Sequence, residues 1–203
     1  MREQTTWDLP FNERMMLHYE QKNSIAKEAV LLLENGDSVF IDGNTTCYTL
    51  SHYIPPEMEL MIVTNSPAII LNMLQMKSRS KLFLIGGEVS SEGMTTGYKL
   101  HQELKQYRFD KAFFSCMGIS TQGCFFSKID PLQVAQTLAE QSKKLILVAD
   151  SSKMNRSGFL FGLESKRVDV LVTDSGTPTK TVDKLKECIR NVIVSGDEIQ
   201  TLD

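Results

Sequence analysis

Residues 38–46 read SVFIDGNTT, an apolar run that stops at an acid, a glycine and three small polar residues. The next stretch, CYTLSHYI (47–54), can carry the chain into a helix. On its own, DGNTT suits any tight turn. A strand that ends in a polar turn and feeds a helix becomes diagnostic of fold only if the unit repeats, and here it does. Seven short apolar runs, SVFID, LMIVTN, KLFLIGG, KAFFSCMG, KLILVAD, VDVLVTD and NVIVSG, recur at intervals that suit strands alternating with helices. Each is dense in Val, Ile, Leu or Phe without strict alternation, as expected of a strand covered on both faces in a parallel sheet.

Segments with helical spacing lie between these runs. SPAIILNMLQMK (66–77) follows the second, and DPLQVAQTLAEQSKK (130–144) precedes the fifth. In the latter, Leu132, Ala135, Leu138 and Ala139 share one face, and Asp130 with Pro131 reads as a cap and first-turn pair. The expected fold class is α/β with a doubly wound, mostly parallel sheet. Upstream, NERMMLHYEQKNSIAKEAVLLLENGD (12–37) can run as one or two helices ending at Asn35-Gly36, with Ile25, Ala29, Leu32 and Leu33 as its apolar face. Residues 1–34 are therefore expected to be a linker and helical segment that packs on the core, and 35–203 the α/β domain.

Composition narrows the function. At 203 residues, with 41% hydrophobic and 23% charged residues, the chain has the makeup of an ordinary globular domain with a substantial core. Its formal charge of −3 argues against the broad basic surface that binding to phosphate backbones requires. No apolar stretch is long enough to span a membrane, and the first residues lack the apolar core of a signal peptide, so a cytoplasmic location is expected. Cys47, Cys116, Cys124 and Cys188 form no CxxC, and His18, His52 and His101 are scattered, which favours reduced thiols and surface imidazoles over a metal site.

In open parallel sheets ligands bind outside the carboxyl ends of the strands. Here those ends read DGNTT, TNS, GGE, MGIS, DSSK, TDSG and SGDE, all small, polar or glycine-rich. Strand ends need turn residues in any case, but seven such ends together favour a polar pocket. Thr45 and Thr46 at a helix start offer hydroxyls and N–H groups to a phosphate, Gly43 permits close approach, and Asp42 can accept from sugar hydroxyls. Thr64, Asn65 and Ser66 add donors at the next helix start, and Lys153 can supply a fixed positive charge. Neither GxGxxG nor GxxxxGK[ST] is present, so a dinucleotide or nucleoside triphosphate cofactor has no motif support and none is expected.

Read in order, DGNTT, VTNS, IGGE, DKAFFSCMGIS, LVADSSKMNRSGF and VLVTDSG resemble the effector-binding domain of the DeoR family of bacterial transcriptional regulators, with agreeing spacing over about residues 10–198. LPFNERMMLHYEQKNSIAKEAV (9–30) resembles that family's segment between its two domains. The resemblance implies the fold of ribose-5-phosphate isomerase, glucosamine-phosphate isomerase and CoA-transferase proteins. It also implies a repressor whose sensor, a homo-oligomer, binds a phosphorylated sugar or related metabolite and controls DNA through a separate winged helix-turn-helix. The chain begins about where that helix-turn-helix should end, and an excised fragment or truncated relative is expected.

Position by position, the resemblance places ligand contacts on Asp42, Gly43, Asn44, Thr45, Thr46, Thr64, Asn65, Ser66, Gly86, Gly87, Glu88 and Lys153. Departures fall after Gly123, where Cys124, Phe125 and Phe126 replace a Thr-Thr pair, and at Pro131, Ala135 and Gln136, where an acid and a basic pair are usual. These are expected to make one wall of the pocket more apolar. The related isomerases carry acids after the fourth strand and in the following helix, where this chain has only Asp130, so a sensor is favoured over an enzyme. Glu88 and Asp150 are the remaining candidate bases for an isomerase. A third possibility is an oligomerisation module using exposed CFF side chains.

Overall fold

The computed structural model describes residues 9–196. Helices α1 (Phe11–Met16) and α2 (Tyr19–Val30) are separated by His18, whose φ of 52° breaks the helical path. The chain then alternates: β1 (Ser38–Ile41), α3 (Thr45–Ser51), β2 (Met61–Thr64), α4 (Pro67–Gln75) and β3 (Lys81–Leu84). A short hairpin, β4 (Glu88–Val89) and β5 (Thr95–Thr96), precedes α5 (Tyr98–Leu104) and β6 (Phe109–Phe114). After β7 (Gly118–Ile119) and β8 (Gly123–Phe126) come α6 (Ile129–Gln141), β9 (Ser142–Val148), β10 (Leu160–Glu164) and β11 (Val170–Asp174). The chain closes with α7 (Thr179–Lys186) and β12 (Asn191–Ser195).

The seven apolar runs form one parallel seven-stranded sheet in the order β12-β11-β9-β6-β1-β2-β3. The doubly wound class expected from the sequence is the one observed. The chain winds outward from β1 to β3, crosses back to β6 on the other side of β1, and winds outward again to β12. The topological switch therefore lies between β1 and β6, where loops leaving the two strands diverge and open a crevice.

Both faces are covered. Phe40, Ala112, Phe114, Leu145, Leu147 and Leu171 pack toward α5, α6 and α7, while Val39, Ile41, Phe113, Ile146, Val148 and Val172 pack toward α2, α3 and α4. This is the period-two alternation of a strand, with both sets of side chains apolar because water reaches neither face of these central strands. Helix α2 lies against α3, β11 and β12, so a helix that precedes the first strand covers the last ones, with Ile25, Ala26 and Ala29 fully buried.

Three local expectations are corrected. The helical segment before β1 stops at Val30 rather than at Asn35-Gly36; Gly36, with φ 90°, instead turns the chain toward β1. Asp130 does not cap α6, which begins one residue earlier; its carboxylate accepts from the Gly97 backbone N–H at 2.9 Å and faces His101 Nε2 at 3.0 Å. The Cys124, Phe125 and Phe126 side chains are buried in β8, which removes them as an exposed association surface. Cys47, Cys116 and Cys124 are buried thiols and Cys188 is half-buried, with no disulfide among them.

Candidate ligand-binding site

At the switch point the carboxyl end of β1 is held by a closed polar network. Asp42, 9% exposed, receives hydrogen bonds from Asn44 Nδ2 at 2.9 Å and Asn65 Nδ2 at 3.1 Å. Asn65 Oδ1 accepts from the Gly43 N–H at 2.8 Å, which ties the loop after β2 to the loop after β1. Asn44 also caps α3 by accepting from the Cys47 N–H, and Ser66 caps α4 by accepting from the Ile69 N–H, with Pro67 in the first turn. Thr64 donates to the Ile41 carbonyl at 2.6 Å. Burial raises the Asp42 carboxyl above the usual carboxylate range, against the lowering effect of the two amide donors.

Two adjoining cavities open onto this network and share Arg14, Asn44 and Ser115 in their walls. The smaller, about 30 Å³, is bounded by Thr45, Thr46, Lys22, Lys153 and Asp150. Thr45 and Thr46 are 7% and 4% exposed, and among the described residues neither hydroxyl has a hydrogen-bond partner. Burial pushes the Lys22 ammonium down to about 8, with Lys153 and Arg14 adding to the lowering and Asp150 opposing it. Burial also lowers Lys153, again with Asp150 in opposition. Lys22 is buried and donates to the Arg14 and Leu17 carbonyl oxygens, while Lys153 is half-buried, so two ammonium groups stand close together with limited access to water.

The larger cavity, about 150 Å³, reaches from Asp42 and Asn65 to the start of α6. Met94, Leu100, Pro131 and Val134 form an apolar wall. Glu92, on the loop joining β4 and β5, forms ion pairs with Arg14 of α1 and with Lys128, tying the hairpin across the cleft.

The structure gathers Asp42, Gly43, Asn44, Thr45, Thr46, Thr64, Asn65, Ser66 and Lys153 at one end of the sheet. Of these, Asp42, Asn44, Thr45, Thr46, Asn65 and Lys153 line the cavities, while Gly43, Thr64 and Ser66 shape the loops behind them. Gly86, Gly87 and Glu88 stand apart and line neither cavity. They lead into the hairpin: a Cβ on Gly87 would lie 2.5 Å from the Thr96 carbonyl oxygen, and Glu88 is an exposed residue of β4. Gly87→Ala is accordingly expected to cost about 1–3 kcal/mol and to speed backbone exchange over residues 88–96; unchanged exchange there would remove the hairpin-anchoring role.

Of the departures expected to make one wall more apolar, only Pro131 lines the larger cavity; Cys124, Phe125, Phe126, Ala135 and Gln136 do not, and the apolar wall is completed by Met94, Leu100 and Val134. Sequence reading missed Arg14, Lys22, Glu92 and Ser115. Arg14 and Lys22 belong to a segment with no ligand motif, and their burial, at 6% and 5% exposure, arises from α1 and α2 folding over the switch point.

The fold is a doubly wound α/β domain with a polar cleft at its topological switch point. The chain belongs to the DeoR family: the DeoR C terminal sensor domain matches residues 17–175. A putative aga operon transcriptional repressor of Escherichia coli O157:H7 is 26% identical over 187 residues, covering 91% of this chain and 69% of that protein. The glycerol-3-phosphate regulon repressor of Escherichia coli K12 is 27% identical over 180 residues, covering 88% and 71%. Among solved structures, eIF2B beta from Chaetomium thermophilum superposes with a TM-score of 0.56 at 13% identity, a likeness of fold alone that covers 84% of this chain and 54% of that one. No helix among the described residues is long and apolar enough to cross a membrane.

Proposed function

We propose that this chain is the effector-binding part of a DeoR-family repressor, that its effector is a phosphorylated sugar or related phosphate monoester, and that DNA is contacted by a separate helix-turn-helix. The observation that carries this reading is the small cavity, where the unpartnered Thr45 and Thr46 hydroxyls meet Lys22 and Lys153. A phosphate dianion there offsets the cost of burying two ammonium groups and accepts from both hydroxyls. Asn44, Asn65 and Asp42 line the adjoining space for the rest of the molecule. The name of the glycerol-3-phosphate regulon repressor is consistent with this chemistry.

A binding role is favoured over catalysis because the carboxylates at the site are already engaged. Asp42 is held by two amides, Glu92 by two cations, Asp130 by Gly97 and His101, and Asp150 by Ser152. None is poised as a base to move a proton between adjacent carbons. Signalling follows from Arg14, which belongs to α1 and stands in the walls of both cavities, so an occupant of the cleft acts on the helix nearest the chain's start. Self-association is proposed along the open edge of the sheet, where Phe83 and Leu84 of β3 and Leu71 and Leu74 of α4 are exposed.

The reading predicts a pH dependence. A bound anion favours protonated Lys22, whose pKa in the free protein is about 8, so affinity for a phosphate monoester should fall as pH rises from 7 to 9. The stability of the free protein should move the other way. With the folded pKa below the unfolded one, the unfolded chain binds more protons between them, and stability rises with pH from about 8 toward 10.5. Calorimetric titration and thermal melts across that range test both arms, and Lys22→Met should flatten both. Affinity that is level from pH 7 to 9 would remove Lys22 from the site.

A further inference from the structure

Building on the proposed phosphate site, we infer that the ligand is a monophosphate whose far end is largely deoxygenated, rather than a fully hydroxylated sugar phosphate or a bisphosphate. The larger cavity carries the inference. Its wall of Met94, Leu100, Pro131 and Val134 offers a hydroxyl nothing to bond, and a hydroxyl buried there unpaired loses its bonds to water.

The opposite wall is polar by composition, but most of its donors are already committed; Ser90, which only accepts from the Glu92 N–H, and Asp130 Oδ2, which takes none of that carboxylate's bonds, are the exceptions. Thr95, Thr96 and Ser115 each spend their one hydroxyl proton on a backbone carbonyl, those of Ile85, Glu88 and Val148. Asn44 uses both amide hydrogens, on Asp42 and on Cys47 Sγ. Asn65 retains one amide hydrogen after bonding Asp42. Ser127 Oγ is buried in this cavity with no partner among the described residues. Asn65, Ser90 and Ser127 can each donate once and Asp130 Oδ2 can accept, so the chamber serves a few ligand oxygens at one side and none along the apolar wall, with the buried Ser127 the side chain that gains most from an occupant.

Charge in the larger cavity points the same way. Arg14 and Lys128 both pair with Glu92, which leaves this end poorly suited to a second phosphate. A second anion there would have to break the Glu92 pairs, whereas a neutral, mainly apolar tail leaves them intact.

Isothermal titration of the whole chain with four probes of equal carbon number tests this: hexyl phosphate, 6-hydroxyhexyl phosphate, glucitol 6-phosphate and glucitol 1,6-bisphosphate. 6-Hydroxyhexyl phosphate is expected to bind at least about tenfold more tightly than glucitol 6-phosphate, as each buried unpaired hydroxyl costs roughly that factor. The bisphosphate should be weakest. Ser127→Ala should erase the advantage of the hydroxyhexyl over the hexyl ester, and Val134→Thr should narrow the gap to glucitol 6-phosphate. Equal or tighter binding of glucitol 6-phosphate, or of the bisphosphate, overturns the deoxygenated-end inference and leaves the phosphate site standing. If neither the four esters nor inorganic phosphate bind, the phosphate site itself fails, and this inference with it.

Discussion

Phe113→Ala is expected to lower the folding free energy by about 3–5 kcal/mol, read from the denaturant midpoint at an unchanged slope. Phe113 is fully buried in β6, with Ile41 of β1 beside it in register on one side and Ile146 of β9 on the other. Its ring fills the layer under α2, α3 and α4, while its neighbours Ala112 and Phe114 face the opposite layer. Removing the ring leaves a cavity that two flanking parallel strands cannot collapse to fill. The damage should also reach the site, because the Phe113 carbonyl accepts from the Asp42 N–H at 3.1 Å and so sets where the polar loop leaves β1. A loss below about 1 kcal/mol would mean that this face is not packed as described.

The second large effect concerns binding. Thr45→Val with Thr46→Val should weaken phosphate monoester binding about a hundredfold or more, since each hydroxyl bond to an anion contributes roughly 1.5–3 kcal/mol. The fold should survive, because valine keeps the shape and β-branching of threonine and neither hydroxyl bonds within the described protein. α3 retains its Asn44 cap in either case. Calorimetry against a simple ester, with a thermal melt as the folding control, checks both halves. Unchanged affinity with an intact melt would move the phosphate away from this turn.

Much of this was legible in the chain. Seven apolar runs without polar alternation specified strands covered on both faces, and the polar residues at their ends marked one rim of the sheet as chemically distinct. SVFIDGNTT held its local structure in its own residues: β-branched and aromatic side chains for the strand, Gly43 where the chain passes Met94, and Asn44 to cap α3. Asn65 and Ser66 were likewise visible as turn and cap residues, though not the bond from Asn65 to Asp42 that joins two loops 23 residues apart.

Sequence by itself determined the seven strands of the main sheet, the two-faced burial of its central ones and the end of the sheet on which polar groups collect, because hydrophobic period, caps and turn residues act over a few neighbouring positions. The tertiary structure decided which of those groups share a cavity. The order β12-β11-β9-β6-β1-β2-β3 put the switch beside DGNTT, swung Gly86, Gly87 and Glu88 into the base of a hairpin, and sent Glu92 back across the cleft. The packing of α1 and α2 on strands far along the chain carried Arg14 and Lys22 into the site. A cation's burial and its neighbours are properties of such long-range packing, and no local pattern in NERMMLHYEQK records them.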